Sequence, residues 1–128
     1  VMDVSGQSTS NGGIVIQWPL NGGTNQQWQL IDAGGGYFNL VNVNSRLVLE
    51  VPNNATNEGV QLDQWSSNGG ANQQWLFTAV GNGYYTITGK QSGLLVAVGG
   101  ASTTEGVQLI QWPSDNGPEQ QWSLAPVF

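Results

Sequence analysis

The stretch "NGGTNQQW" (21–28) returns as "NGGANQQW" (68–75) and, with changes, as "DNGPEQQW" (115–122). Its last residue, as Trp28, Trp75 and Trp122, recurs at an interval of 47 residues both times. Shifted by that interval, the rest of the chain also falls on itself without a gap. "VMDV" (1–4) lies over "VLEV" (48–51) and "LVAV" (95–98), and "GIVIQW" (13–18) over "VQLDQW" (60–65) and "VQLIQW" (107–112). "GGGYFNLVN" (34–42) lies over "GNGYYTITG" (81–89). A fixed period of this length marks a fold built from one supersecondary unit used repeatedly, and the unit has to be read before anything else.

Each unit reads as strands. "YFNLVNV" and "YYTIT" alternate and are aromatic or β-branched, while "RLVLEV", "VQLDQW" and "QQWLFTAV" are short β-forming runs bounded by Gly, Asn and Ser. Asn-Gly pairs at 11–12, 21–22, 68–69, 82–83 and 116–117 are turn signals, because both residues accept a positive φ. No helical period runs longer than a turn. Four strands in each of three units predict a closed all-β barrel with a hairpin cap. The repeats run 1–36, 37–83 and 84–128 within a single domain, as the length of 128 residues allows.

Three full units would need 141 residues, and the shortfall lies at the front. Val1 corresponds to Val48, so the first unit lacks its first strand, the counterpart of "YFNLVNVNSRL" (37–47). Phe128 corresponds to Gly81, just before the next strand would begin. Eleven of twelve strands and one open edge are therefore expected. The expectation that follows is a chain that is covalently part of a larger polypeptide.

Composition excludes several chemistries. Arg46 and Lys90 face eight carboxylates, for a formal net charge of -6. Such a chain repels phosphate backbones and anionic membrane surfaces, so neither nucleic acid nor membrane insertion is expected. No run approaches the ~18 apolar residues of a membrane span. The chain has no Cys and no His, which removes thiol and imidazole catalysis and the commonest transition-metal ligands. No metal and no cofactor are called for. Six Trp on a chain that is rich in Asn, Gln, Ser, Thr and Gly but only 8% charged suit a neutral, hydroxyl-rich ligand.

The "QQW" motifs at 26–28, 73–75 and 120–122, with the acidic strand residue and the "QW" fifteen residues beyond it, resemble the ricin B-type β-trefoil lectins, grouped also as family 13 carbohydrate-binding modules. The resemblance covers the whole chain. It departs from members that carry disulfides in each repeat, since Met2, Leu49 and Val96 stand in that strand context here. The resemblance implies one shallow sugar site per unit: an acid for the sugar hydroxyls, an aromatic stacked on the pyranose face, and an Asn before the Gln-x-Trp. Carried over, the first unit offers Asp3, Trp18, Asn25 and Gln26, and the second Glu50, Trp65, Asn72 and Gln73. The third offers Ala97, Trp112, Glu119 and Gln120. It also implies a secreted, extracellular protein, either a lectin or an accessory module that targets an attached glycoside hydrolase, with a mono-, oligo- or polysaccharide containing galactose, xylose or arabinose as partner.

The residues fit those roles on physical grounds. A pyranose offers an apolar C–H face and a rim of hydroxyls, so one flat aromatic and a few fixed polar groups suffice. Trp28, Trp75 and Trp122 precede apolar residues and read as core. Trp18, Trp65 and Trp112 stand at strand ends beside Pro19, Ser66 and Pro113 and read as platforms, with Ile16, Asp63 and Ile110 on their face. Trp112 is the weaker platform, read mainly as local packing. Asp63 either assists the longer Glu50 or is solvated. Ala97 accepts no hydrogen bond, so the third site keeps only the weak candidates Trp112 and Glu119. Asn25 and Asn72 have turn formation as a competing role. Gln26 and Gln73 have a framework hydrogen bond as theirs, because Gln120 persists where the acid is lost. Two other functions stay open: a glycosidase, which needs a carboxyl pair at one site, and a protein-interaction or inhibitor trefoil without sugar binding.

Overall fold

The computed structural model describes residues 1–127, and Phe128 lies outside the described residues. Among the described residues there are eleven strands: β1 Met2–Val4, β2 Val15–Gln17, β3 Trp28–Gly34, β4 Tyr37–Asn42, β5 Val48–Glu50, β6 Asp63–Trp65, β7 Trp75–Gly81, β8 Tyr84–Gly89, β9 Leu95–Val98, β10 Leu109–Trp112 and β11 Trp122–Ser123. All neighbouring pairs are antiparallel. β1–β2, β5–β6 and β9–β10 are the equivalent inner hairpins of the three units. Single bridges Ile14↔Asp63, Ile16↔Gln108 and Gln61↔Ile110 tie each to the next around a pseudo-three-fold axis. The outer hairpins β3–β4 and β7–β8, with β11 against β8, form the cap. This is the β-trefoil.

The core repeats in phase with the sequence. Val4, Val15, Leu49, Leu62, Val96 and Leu109 are wholly enclosed, as positions 2, 4 and 15 of the repeat would require. Trp75 is fully buried, while Trp28 and Trp122 are partly buried and pack on the same cluster. Each donates its indole N–H to a strand carbonyl at the same place: Met2, Leu49 and Val96, at 3.0, 3.0 and 3.2 Å. The difference in burial follows from pairing. β7 has both β4 and β8 as neighbours, whereas β3 pairs only with β4 and β11 only with β8. On the axis, Gln61 Nε2 donates toward the carbonyls of Val15, Leu62 and Leu109, three equivalent positions, at 2.8–3.0 Å.

The sequence reading needs two adjustments. Strands alone do not describe the unit, because the Gln of each Gln-x-Trp ends a 3₁₀ turn (Thr24–Gln26, Ala71–Gln73, Pro118–Gln120) and the strand starts only at the Trp. Of the Asn-Gly pairs, only Asn82–Gly83 closes a hairpin between named strands, with φ of 56° and 82° at its two residues. The pairs at 21–22, 68–69 and 116–117 instead lead into those 3₁₀ turns. There Asn21, Asn68 and Asp115 accept the N–H two residues on, at 2.7–2.8 Å.

Candidate functional site

The first and third units each hold a hollow between the inner hairpin, the 3₁₀ turn after that hairpin's first strand, and the turn that precedes the Gln-x-Trp; in the second unit Glu50, Trp65 and Asn72 stand at the equivalent positions. In the first unit β1 and β2 pair Asp3 with Ile16, and Trp18 follows directly on β2. A cavity of about 380 Å³ opens there, lined by Asp3, Ser5, Gly6, Gln7, Ile16, Trp18, Asn21 and Asn25. Asp3 is only 3% exposed, and Gln26 Nε2 donates to its Oδ2 at 2.8 Å. Gln26 also donates to the Pro19 carbonyl and accepts from the Asn21 N–H, so its amide is fully used. That leaves one carboxylate oxygen of Asp3 free to face the hollow, held in place from behind. A carboxylate fixed in this way accepts a hydroxyl with a charge-assisted bond and little ordering cost.

The tryptophans Trp18, Trp65 and Trp112 are 38%, 41% and 37% exposed, a narrow range for three side chains on different surfaces. The edge of each is backed by a glycine of the neighbouring unit. A Cβ on Gly106, Gly12 or Gly59 would sit 3.6–3.8 Å from Cζ3 of Trp18, Trp65 or Trp112. Those glycines carry φ between 86° and 88°, where a side chain is strained. Gln17, Gln64 and Gln111, the Gln of each "QW", fasten the same loops. Gln17 Nε2 donates to Ser102 and Thr104 carbonyls, Gln64 to Ser8 and Ser10, and Gln111 to Ala55 and Asn57, at 2.7–3.1 Å. The three indoles are therefore backed on one side and open on the other.

Trp112, expected mainly to pack locally, lines a hollow of about 230 Å³ with Ala97, Ile110, Asp115 and Glu119 among its neighbours. The third unit differs in its acid, not in its platform. Gln120 keeps the framework bonds to the Pro113 carbonyl and from the Asp115 N–H, and where Gln26 meets Asp3 it finds Ala97.

In the second unit the longer Glu50 is folded in. Gln73 Nε2 and Asn72 Nδ2 both donate to its Oε1, at 3.2 and 3.5 Å. Gln73 is 0% exposed and also donates to the Ser66 carbonyl, so it positions the acid from within and lies out of a ligand's reach. Asp63 is not solvated: it is 8% exposed and pairs across strands with Glu50. Burial, with the hydrogen bond and the charge of Glu50 after it, pushes the Asp63 carboxyl up to about 8.

Asn25 and Asn72 turn inward. Their amides donate to the carbonyls of Val4 and Val51, at 3.1 and 2.9 Å, and their Oδ1 atoms are buried without a partner. Asn25 lines the first hollow, and a Cβ on Gly23 or Gly70 would collide with the Oδ1 atoms of Asn25 and Asn72. The sequence reading missed the rims at Gly6–Gln7, Asn53–Asn54 and Gly100–Ala101. All six have φ between 52° and 64° and turn the chain around the hollow. Their recurrence at the repeat interval was the available signal.

A β-trefoil whose three units each present a half-exposed tryptophan, with hollows beside Trp18 and Trp112, defines a lectin-like class. The family model described as "Ricin-type beta-trefoil lectin domain-like" matches residues 1–65, 25–110 and 71–127, and the chain belongs to that family. A designed three-fold symmetric protein, ThreeFoil, is similar at 43% identity and a TM-score of 0.97 over 98% of this chain and 90% of that one. An exo-β-1,3-galactanase from Clostridium thermocellum is similar at 42% identity and TM-score 0.97; 99% of this chain matches 28% of that enzyme. The C-half of an earthworm R-type lectin, solved in complex with GalNAc, shares the fold at 18% identity and TM-score 0.73, over 94% of this chain and 85% of that one. No curated protein matches the chain.

Proposed function

We propose that the domain is a non-catalytic carbohydrate-binding module whose first and second hollows each hold a terminal or side-chain sugar. The observation that carries this reading is the first hollow. A half-open tryptophan, backed by Gly106, lines the same hollow as a buried carboxylate with one oxygen tied to Gln26. That is one apolar face and one hydroxyl acceptor, the two things a pyranose needs. Galactose-containing glycans are the favoured ligands, supported by the likeness to a module-sized part of a β-1,3-galactanase; xylose and arabinose polymers are the alternatives. The same likeness supports attachment to a glycoside hydrolase, which would place the domain outside the cell beside its polysaccharide. Two weak sites on one polymer chain would add by effective concentration rather than by new contacts.

Hydrolysis by this domain is disfavoured by geometry. Glycosidases hold two carboxyls ~5–5.5 or ~6.5–9.5 Å apart. Glu50 and Asp63 are in hydrogen-bond contact, which is closer, and the partner of Asp3 across the strands is Ile16.

Calorimetry with galactose, xylose, arabinose and their polymers tests the reading. Trp18→Ala and Trp65→Ala are each expected to remove one class of site and to weaken polymer binding at least tenfold, while the circular-dichroism melt stays within a few degrees of wild type. Loss of a stacked aromatic costs ~1.5 kcal/mol or more, which is that factor. Absence of binding to every glycan on an array would favour a protein-interaction trefoil instead.

A further inference from the structure

The second unit differs from the other two in the residues its inner hairpin sets against each other. Where β1 sets Asp3 against Ile16 and β9 sets Ala97 against Ile110, β5 sets Glu50 against Asp63. Both carboxyls are more than nine-tenths buried. Glu50 Oε1 is held by the amides of Gln73 and Asn72, whereas Asp63 Oδ1 has no N–H or hydroxyl within reach. Glu50 is the ionisable group that faces Asp63. The Ile14 segment that bridges Asp63 and the Ala71–Gln73 turn beside β5 bring no ionisable side chain. Two buried carboxylates with no cation between them do not both stay charged. One proton held by Asp63 and donated to Glu50 satisfies the pair and leaves a single negative charge, as on Asp3.

We propose that the Glu50–Asp63 pair works as a one-proton acid pair, so that the second hollow, unlike the first, binds sugar only with that proton in place. The inference rests on the sugar-binding reading above. With the proton present, Glu50 is anchored on three sides and its outward oxygen accepts a sugar hydroxyl beside Trp65. Without it, two adjacent charges repel and Glu50 loses its place. A sugar covering the hollow removes water and favours the protonated pair further, so binding and proton uptake are linked. The elevated titration of Asp63, at about 8, puts the loss on the alkaline side of neutrality.

The test uses a Trp18→Ala/Trp112→Ala variant, which leaves the second hollow, and a Trp65→Ala variant, which leaves the first. Galactose affinity is measured by calorimetry from pH 6 to 9.5, with a carbon-13 NMR titration of the Asp63 carboxyl in the free protein. The second hollow should lose roughly tenfold in affinity between pH 7 and 9, one proton being linked to binding. The first should stay flat. Asp63→Asn in the second-hollow variant should abolish the slope, and the Asp63 carboxyl should titrate above pH 7. Binding in both hollows without a pH slope in the second, a slope that persists in Asp63→Asn, or titration of Asp63 near pH 4 each overturns the acid pair alone. No galactose binding to the wild type at any pH overturns it together with the galactose reading.

Discussion

Ala97 and Asp3 occupy the same point of the repeat, and the comparison isolates what one carboxylate does. Gln120 still makes both of its framework bonds, yet the amide hydrogen that Gln26 gives to Asp3 has no carboxylate to meet. Trp112 is exposed like its equivalents. Ala97→Asp should therefore create a hydroxyl acceptor already positioned by Gln120. Calorimetry with galactose should show a third site, or at least a tenfold gain in the third hollow, since hydrogen bonds to a charged group contribute ~1.5–3 kcal/mol. Ala97 is 2% exposed, so Ala97→Asn serves as the control for crowding without charge. The sequence showed this point clearly, because an acid is either present or absent. It showed Trp112 and the Asn residues less well. Exposure of a tryptophan at a strand end depends on the glycine that backs it from another unit, and the inward turn of Asn25 depends on Val4.

At the level of elements, the loops are shared between hollows. The segment from Ser5 to Gly12 forms the rim of the first hollow, and its far end backs Trp65 of the second. The segments after β5 and β9 do the same for Trp112 and Trp18. Gln64 is the clasp for the first of these loops. It is wholly buried, donates to the carbonyls of Ser8 and Ser10, and accepts from the Ser45 hydroxyl at 2.7 Å. Gln64→Leu keeps the volume and loses three bonds. It should cost about 2–4 kcal/mol in urea unfolding, and it should weaken sugar binding in the second hollow more than in the first, because the support of Trp65 is lost. Equal weakening of both would mean that the loop is only a structural strap. The strands themselves were legible from alternation and period. The loops were not, because their contacts cross between units. The 3₁₀ turns before each Gln-x-Trp were hidden within runs that read as strand.

For the whole molecule, the three-fold plan enforces equivalent surroundings, and Asp63 occupies a strand position that carries isoleucine in the other two units. The consequence is a global dependence on pH. An unfolded Asp63 ionises near its ordinary value of 3.8, whereas in the fold it holds its proton up to about 8. Between those values the native state binds more protons than the unfolded state, so stability falls as pH rises, and it levels off above the folded value. This is opposite in sign to the salt-bridged carboxylates that make many proteins most fragile in acid. Thermal unfolding followed from pH 4 to 9 should show a melting temperature that declines through neutrality. Asp63→Ile, which restores the residue of the other units, should remove the decline and raise the melting temperature at pH 8 by several degrees. A wild-type melting temperature that climbs from pH 4 to 8, with Asp63→Ile following the same curve, would show that the buried acid stays ionised in the fold.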